Sequence, residues 1–66
     1  MRVILRQPRR EVDLEEASRV EDIFRQLELV PESYLAIRDG ELLTVDMPVG
    51  PDDVVELRPV ISGGRR

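Results

Sequence analysis

Asp53-Val54-Val55-Glu56-Leu57-Arg58-Pro59-Val60-Ile61-Ser62-Gly63-Gly64-Arg65-Arg66 is the stretch that decides the fold. Val55, Leu57, Pro59 and Ile61 share one parity and Glu56 and Arg58 the other, which is the two-residue period of a strand with one apolar face. The strand runs into a glycine pair followed by only two residues. Adjacent glycines often serve turns, but this pair has no further element for a turn to join. A backbone without Cβ adopts angles closed to other residues, so a slender end of this kind suits threading through a narrow channel into another protein. On that reading the chemistry of the chain lies in the backbone carboxyl of Gly64, covered here by Arg65 and Arg66.

Working outward, Met1 to Gln7 alternates as a half-buried strand with Val3 and Leu5 inward. Pro8-Arg9-Arg10 makes a turn, and Glu11 to Glu15 alternates again with Val12 and Leu14 inward, so the two segments read as a hairpin. Ser18 and Glu21 match the S-x-x-E capping box that opens a helix. Val20, Ile23, Phe24 and Leu27 fall on one helical stripe, with Phe24 expected in the core. Leu29-Val30-Pro31 stops the helix, because proline disfavours helical angles in the residue before it. Tyr34 to Arg38 reads as a third strand with Leu35 and Ile37 inward. Asp39-Gly40 is a tight hairpin turn with positive φ, and Glu41 to Val45 pairs back before a loop over 47–51.

Two hairpins around one helix make an α+β arrangement in the order ββαβββ, a mixed sheet packed on one helix. The last strand is expected beside the first and parallel to it, the helix supplying the crossover. Pro59 then falls near the exit of its strand, where a missing ladder donor does least harm. The expected organisation is one domain over 1–61 and a tail over 62–66.

Composition excludes several functions. A chain of this length buries only about 60% of its unfolded surface, so the core is small. There is no cysteine and no histidine, which removes disulfides, thiolate nucleophiles and the commonest general base and metal ligand. None of the hydroxyls at Ser18, Ser33, Tyr34, Thr44 and Ser62 has an imidazole to activate it. The chain is therefore expected not to be an enzyme and to hold no cofactor or metal of its own. A net charge of −4, falling to −6 without the two last arginines, argues against direct binding of nucleic acid and fits docking on a basic protein surface. No apolar stretch is long enough to cross a membrane, and the first residues do not make a signal peptide, so the expected location is the cytoplasm. Ten arginines and no lysine read as a genome bias toward arginine. Their consequence is that no side chain accepts an isopeptide bond, and a copy could be linked only through Met1.

The order of elements resembles the β-grasp fold of ubiquitin-like proteins. The segment Asp53 to Gly64 is similar to the C-terminal signature of prokaryotic sulfur carriers, among them the small subunit of molybdopterin synthase, the thiamine sulfur carrier and the thiouridine carriers, with the eukaryotic ubiquitin-related modifier. Val30 to Leu43 looks most like the thiouridine carriers. The resemblance implies that an ATP-dependent activating enzyme of the ubiquitin-activating type adenylates a free Gly64. The carboxyl is then converted to a thiocarboxylate, or passed on to target lysines. It implies recognition of the tail at Ile61, Ser62 and Gly63, docking at Pro59 and Val60, and a sulfurtransferase or target protein as recipient. Most such carriers end at the second glycine. The continuation through Arg65 and Arg66 resembles a precursor cut between Gly64 and Arg65, by a JAMM-type zinc peptidase or a basic carboxypeptidase. The alternative is a non-covalent β-grasp interaction module, with Ile4, Val54 and Val60 as a small outward apolar patch.

Overall fold

The structure, a computed structural model, describes residues 1–6 and 9–60. In chain order it contains β1 (Arg2–Leu5), β2 (Arg10–Asp13), α1 (Val20–Leu27), a 3-10 turn at Pro31–Ser33, β3 (Tyr34–Arg38), β4 (Glu41–Leu43) and β5 (Val54–Pro59). The five strands form one sheet in the order β2-β1-β5-β3-β4. β1 and β5 run parallel at its centre, in register from Arg2↔Val54 to Leu5↔Leu57, and every other pair is antiparallel. This is the β-grasp arrangement, with the first and last strands side by side.

The core is what the alternation dictates. Val3, Val20, Ile23, Val55 and Leu57 are fully buried, and Leu5, Leu14, Phe24, Ala36 and Leu43 complete the layer between helix and sheet. No polar or charged residue is buried among the described residues.

The inward parity expected for β3 is reversed. Ala36 is buried, Leu35 is exposed and Ile37 is half-buried. Ala36 stands in register between buried Leu57 and buried Leu43. Tyr34, of the same parity, meets the Phe24 ring at 6.2 Å between centroids. The larger aliphatic residues therefore lie on the face away from the helix.

The helix also starts one residue later than the capping motif implies. Its N-cap is Arg19, and the carboxylate of Asp22, not of Glu21, accepts from the Ser18 and Arg19 amides at 2.9 and 3.0 Å. An arginine side chain has no acceptor, so only the Asp22 half of a capping box operates. The amides of Val20 and Glu21 donate instead to the Met47 and Val45 carbonyls at 3.0 and 2.9 Å. The loop between β4 and β5 thus satisfies the first turn. That loop is pinned by Asp53, whose Oδ2 accepts from the Gly50 amide at 2.7 Å and from Arg38 Nη1 at 2.9 Å, while the same Nη1 reaches the Pro48 carbonyl at 3.1 Å.

The helix ends before Pro31 acts. Glu28 adopts left-handed angles (φ 58°, ψ 45°), and the Leu29 amide closes back on the Phe24 carbonyl at 2.9 Å, which is the Schellman ending. Glycine is the residue this position favours. Glu28→Gly is expected to raise stability by about 1 kcal/mol, read as a melting temperature higher by roughly 4–8 °C for a domain of this size. At the Asp39-Gly40 turn the expected geometry is present, with φ of 54° and 82°.

Candidate functional site: the exit of the last strand

β5 delivers the C-terminal segment, and the sheet holds it on both sides. Val55 and Leu57 are fully buried. Leu57's carbonyl accepts from the Arg6 amide at 3.2 Å, so backbone groups of that parity face β1. Pro59 has the same parity, and β1 has ended by then. Its missing N–H falls where no partner strand remains, as the sequence reading anticipates. On the other side Tyr34 pairs with Pro59, and the Val60 amide donates to the Ser33 carbonyl of the 3-10 turn at 2.8 Å.

That tether is a feature the sequence reading misses. Its signal was Val30-Pro31-Glu32-Ser33, in which proline takes the first position of the turn. Val30 and Val60, 57% and 40% exposed, flank the tether, and Pro59 is half-buried beside it. Pro59 and Val60, the expected docking pair, are thus placed at the end of β5, half-buried and exposed respectively. Ile61, Ser62, Gly63, Gly64 and Arg65, expected to form the recognised tail, the activated carboxyl and the processing site, lie outside the described residues.

Next to the exit, the sheet face away from α1 is open. Alternation puts Arg2, Ile4, Glu11, Asp13, Leu35, Ile37, Leu42, Val54, Glu56 and Arg58 on it. Leu35, Leu42 and Val54 are 44%, 62% and 48% exposed, while Ile4 is only half-buried. Charges between them are compensated: Glu56 Oε2 accepts from Arg6 Nε at 2.6 Å and lies 3.3 Å from Arg58 Nε. The Arg6 hydrogen bond, with the charges of Arg6 and Arg58, holds the Glu56 carboxyl below its ordinary range. Such exposed pairs contribute little to stability singly, but they leave Glu56, the carboxylate of the central strand on this mixed face, paired.

Three further carboxyls are lowered in the same direction. Asp53 is held down chiefly by the Gly50 amide and then by Arg38, Asp22 by the Ser18 and Arg19 amides, and Asp46 by the Thr44 hydroxyl. A carboxyl whose folded pKa lies below its unfolded value stabilises the fold above the unfolded pKa, and that contribution disappears as pH falls through the folded value. The urea midpoint is therefore expected to stay level from neutral pH to about pH 5 and to fall below about pH 4. Asp53→Asn, which removes one of these groups, is expected to make the acid limb shallower.

No group of three or more potential metal ligands occurs among the described residues, and no helix there is long and apolar enough to cross a membrane. What the arrangement provides is presentation: a central strand paired on both sides, a tethered exit and an open face beside it that exposes Leu35, Leu42 and Val54.

Comparison with known proteins bears on the same feature. Residues 2–60 match the family model described as small archaeal modifier protein 2. The chain is also 40% identical over 65 residues to the sulfur carrier protein TtuB of Thermus thermophilus, an alignment covering 97% of this chain and 100% of that protein. With the β-grasp sheet and the strand exit in place, these matches show that the chain belongs to the small archaeal modifier protein 2 family, a group of ubiquitin-like proteins.

Proposed function

We propose that the chain is a ubiquitin-like sulfur carrier and protein modifier that works through the carboxyl of Gly64. Removal of Arg65 and Arg66 by a peptidase, of the JAMM zinc type or a basic carboxypeptidase, frees that carboxyl. An ATP-dependent activating enzyme then adenylates it: the carboxylate oxygen attacks the α-phosphorus of ATP, and pyrophosphate leaves. Attack by a sulfur nucleophile on the acyl adenylate expels AMP and leads to a thiocarboxylate or a thioester. A sulfurtransferase or a target lysine receives the cargo, in the cytoplasm, and thiolation of tRNA is the favoured destination. The chain catalyses none of these steps. Its part is to present the reacting group.

The observation that carries this reading is the exit of β5. The strand is held between β1 and β3 up to Leu57, by β3 alone at Pro59, and tethered at Val60, and Ile61 to Gly64 are the residues proposed to reach the partner's reacting centre. Four residues span at most about 13–14 Å when fully extended, which bounds the depth of channel they can enter. The 40% identity to a sulfur carrier along that protein's full length supports the same conclusion.

The test is ATP–pyrophosphate exchange with the host's activating enzyme. A chain ending at Gly64 is expected to support exchange and a chain ending at Arg66 to support none, because an amide cannot be adenylated. Equal exchange with both would defeat the proposal.

The exposed Leu35, Leu42 and Val54 favour a second reading, a non-covalent interaction module that binds through its open face. Deleting residues 62–66 separates the two: binding and biological activity survive in a module and are lost in a carrier.

A further inference from the structure

Charge is divided unequally between the two layers of the molecule. On the helix, Arg25 serves two carboxylates, 3.6 Å from Glu21 and 3.0 Å from Asp22. On the open sheet face the ratio is inverted. Glu56 Oε2 meets Arg6 Nε at 2.6 Å and Arg58 Nε at 3.3 Å. Glu11 meets Arg2 Nε with one oxygen at 3.7 Å and Arg9 Nη1 with the other at 3.0 Å. Two arginines thus share each glutamate. With Asp13, in register with Arg2, the β2-β1-β5 half of this face carries four cations against three anions. That surplus of +1 leaves −5 for the rest of a chain whose net charge is −4.

The register places the two glutamates. Both stand opposite Ile4, Glu11 from β2 and Glu56 from β5, so they lie in one row, two strand spacings or about 9.5 Å apart. Glu56 is the inner member, its side chain 24% exposed against 44% for Arg6 and 57% for Arg58. Arg2, Arg6 and Arg58 all approach their glutamates through Nε. Among the described residues none of their Nη pairs donates a hydrogen bond. The glutamates therefore order the guanidinium groups and leave the Nη forks to a further acceptor. A fork of that shape matches a carboxylate through two parallel N–H···O bonds.

We propose that this row is a docking surface for an acidic segment of another protein, whose carboxylates, about 10 Å apart, take the Nη forks on either side of Ile4. Half-buried Ile4 is an apolar floor between the two positions, and exposed Val54, in register with Arg2, extends it. Guanidinium groups already held by Glu11 and Glu56 lose less freedom on binding than free ones. A protein is favoured over nucleic acid by the same charges: affinity for a phosphate backbone accumulates over many contacts, and the remaining −5 of the chain repels a polyanion. A net charge of −4 leads to the expectation of a basic partner surface, and its distribution reverses that expectation for this face.

The test is a titration of the isotope-labelled full chain, followed by NMR amide shifts. The probe is an alanine-based helical peptide with glutamate at positions i and i+7, about 10.5 Å apart, and leucine at i+3. Shifts are expected on Arg2, Ile4, Arg6, Glu11, Glu56 and Arg58, and they weaken as salt is raised. Replacing both glutamates of the peptide by glutamine, or the chain by Arg6→Gln/Arg58→Gln, is expected to weaken binding by at least about tenfold. Arg25→Gln, on the opposite layer, is expected to bind as the parent does. Exposed ion pairs add little to stability, so the urea midpoints of these variants are expected to match the parent's. Equal binding of the glutamate and glutamine peptides would overturn the proposal, as would the absence of shifts on these residues. Undiminished binding by Arg6→Gln/Arg58→Gln, or tighter binding of polyuridylate to the same residues, would overturn it too. No step of the measurement involves Gly64, so a failure of adenylation would sink the functional reading and leave this result standing.

Discussion

Leu57→Ala is expected to remove about half of the domain's stability. Leu57 is fully buried in the central strand, opposite Leu5 on one side and Ala36 on the other. Truncating such a leucine costs about 2–5 kcal/mol from lost transfer energy and the cavity left behind. A domain of this length has roughly 3–10 kcal/mol of stability in total, so the change removes about half of it. The expected result is a cooperative urea transition displaced to about half of the parent's midpoint, followed by circular dichroism. Leu42→Ala is the matching control. That side chain is 62% exposed on the open face, and its removal is expected to shift stability by less than about 0.5 kcal/mol. A Leu57→Ala chain as stable as the Leu42→Ala chain would mean that β5 is not the centre of the fold.

The second large effect is on chemistry and leaves stability untouched. In a chain ending at Gly64, Gly64→Ala is expected to lower activation by about 100-fold, the scale of loss that follows a displacement of about 1 Å at a reacting centre. The added methyl would sit on the atom next to the carboxyl, inside a channel proposed to admit only bare backbone. Urea unfolding should be unchanged, since the substitution lies four residues beyond Val60, outside every described element and the described core. Activation at the parent rate would show that the partner grips the folded domain and does not read the tail.

How much of this was legible in the sequence depends on where the information resides. β1 and β5 were readable because their polar residues (Arg2, Arg6, Glu56 and Arg58) all fall on one parity, and only the other can face a core, although Ile4 and Val54 interrupt the alternation. The Asp39-Gly40 turn was readable because few residue pairs adopt positive φ. β3 was not, because Leu35-Ala36-Ile37 is apolar throughout and gives no parity. Size suggested that the two larger residues point inward, whereas the neighbouring Leu57 and Leu43 leave the inward position to Ala36. The helix start was displaced for a similar reason. Ser18 and Glu21 form a plausible local cap, but the amides of Val20 and Glu21 are satisfied by carbonyls from the β4–β5 loop, some twenty-five residues away. A contact of that range leaves no local trace. The Val60 tether to Ser33 belongs to the same class.

For the candidate site, Pro59 and Val60 stand together at the strand exit. Gly64, the proposed reacting position, rests on the glycine pair and the resemblance that led to it. The open face extends beyond the patch of Ile4, Val54 and Val60 read from the sequence, because the reversed parity of β3 adds Leu35 and Leu42 to the exposed set.

The central claim is that the carboxyl of Gly64 is uncovered and then energised, and it can be read directly as a mass. Intact-mass spectrometry of the protein recovered from its own cells is expected to find chains terminating at Gly64, a fraction of them heavier by the exchange of one oxygen for sulfur. Recovering only chains that still carry Arg65 and Arg66, with no sulfur-bearing species, would contradict it.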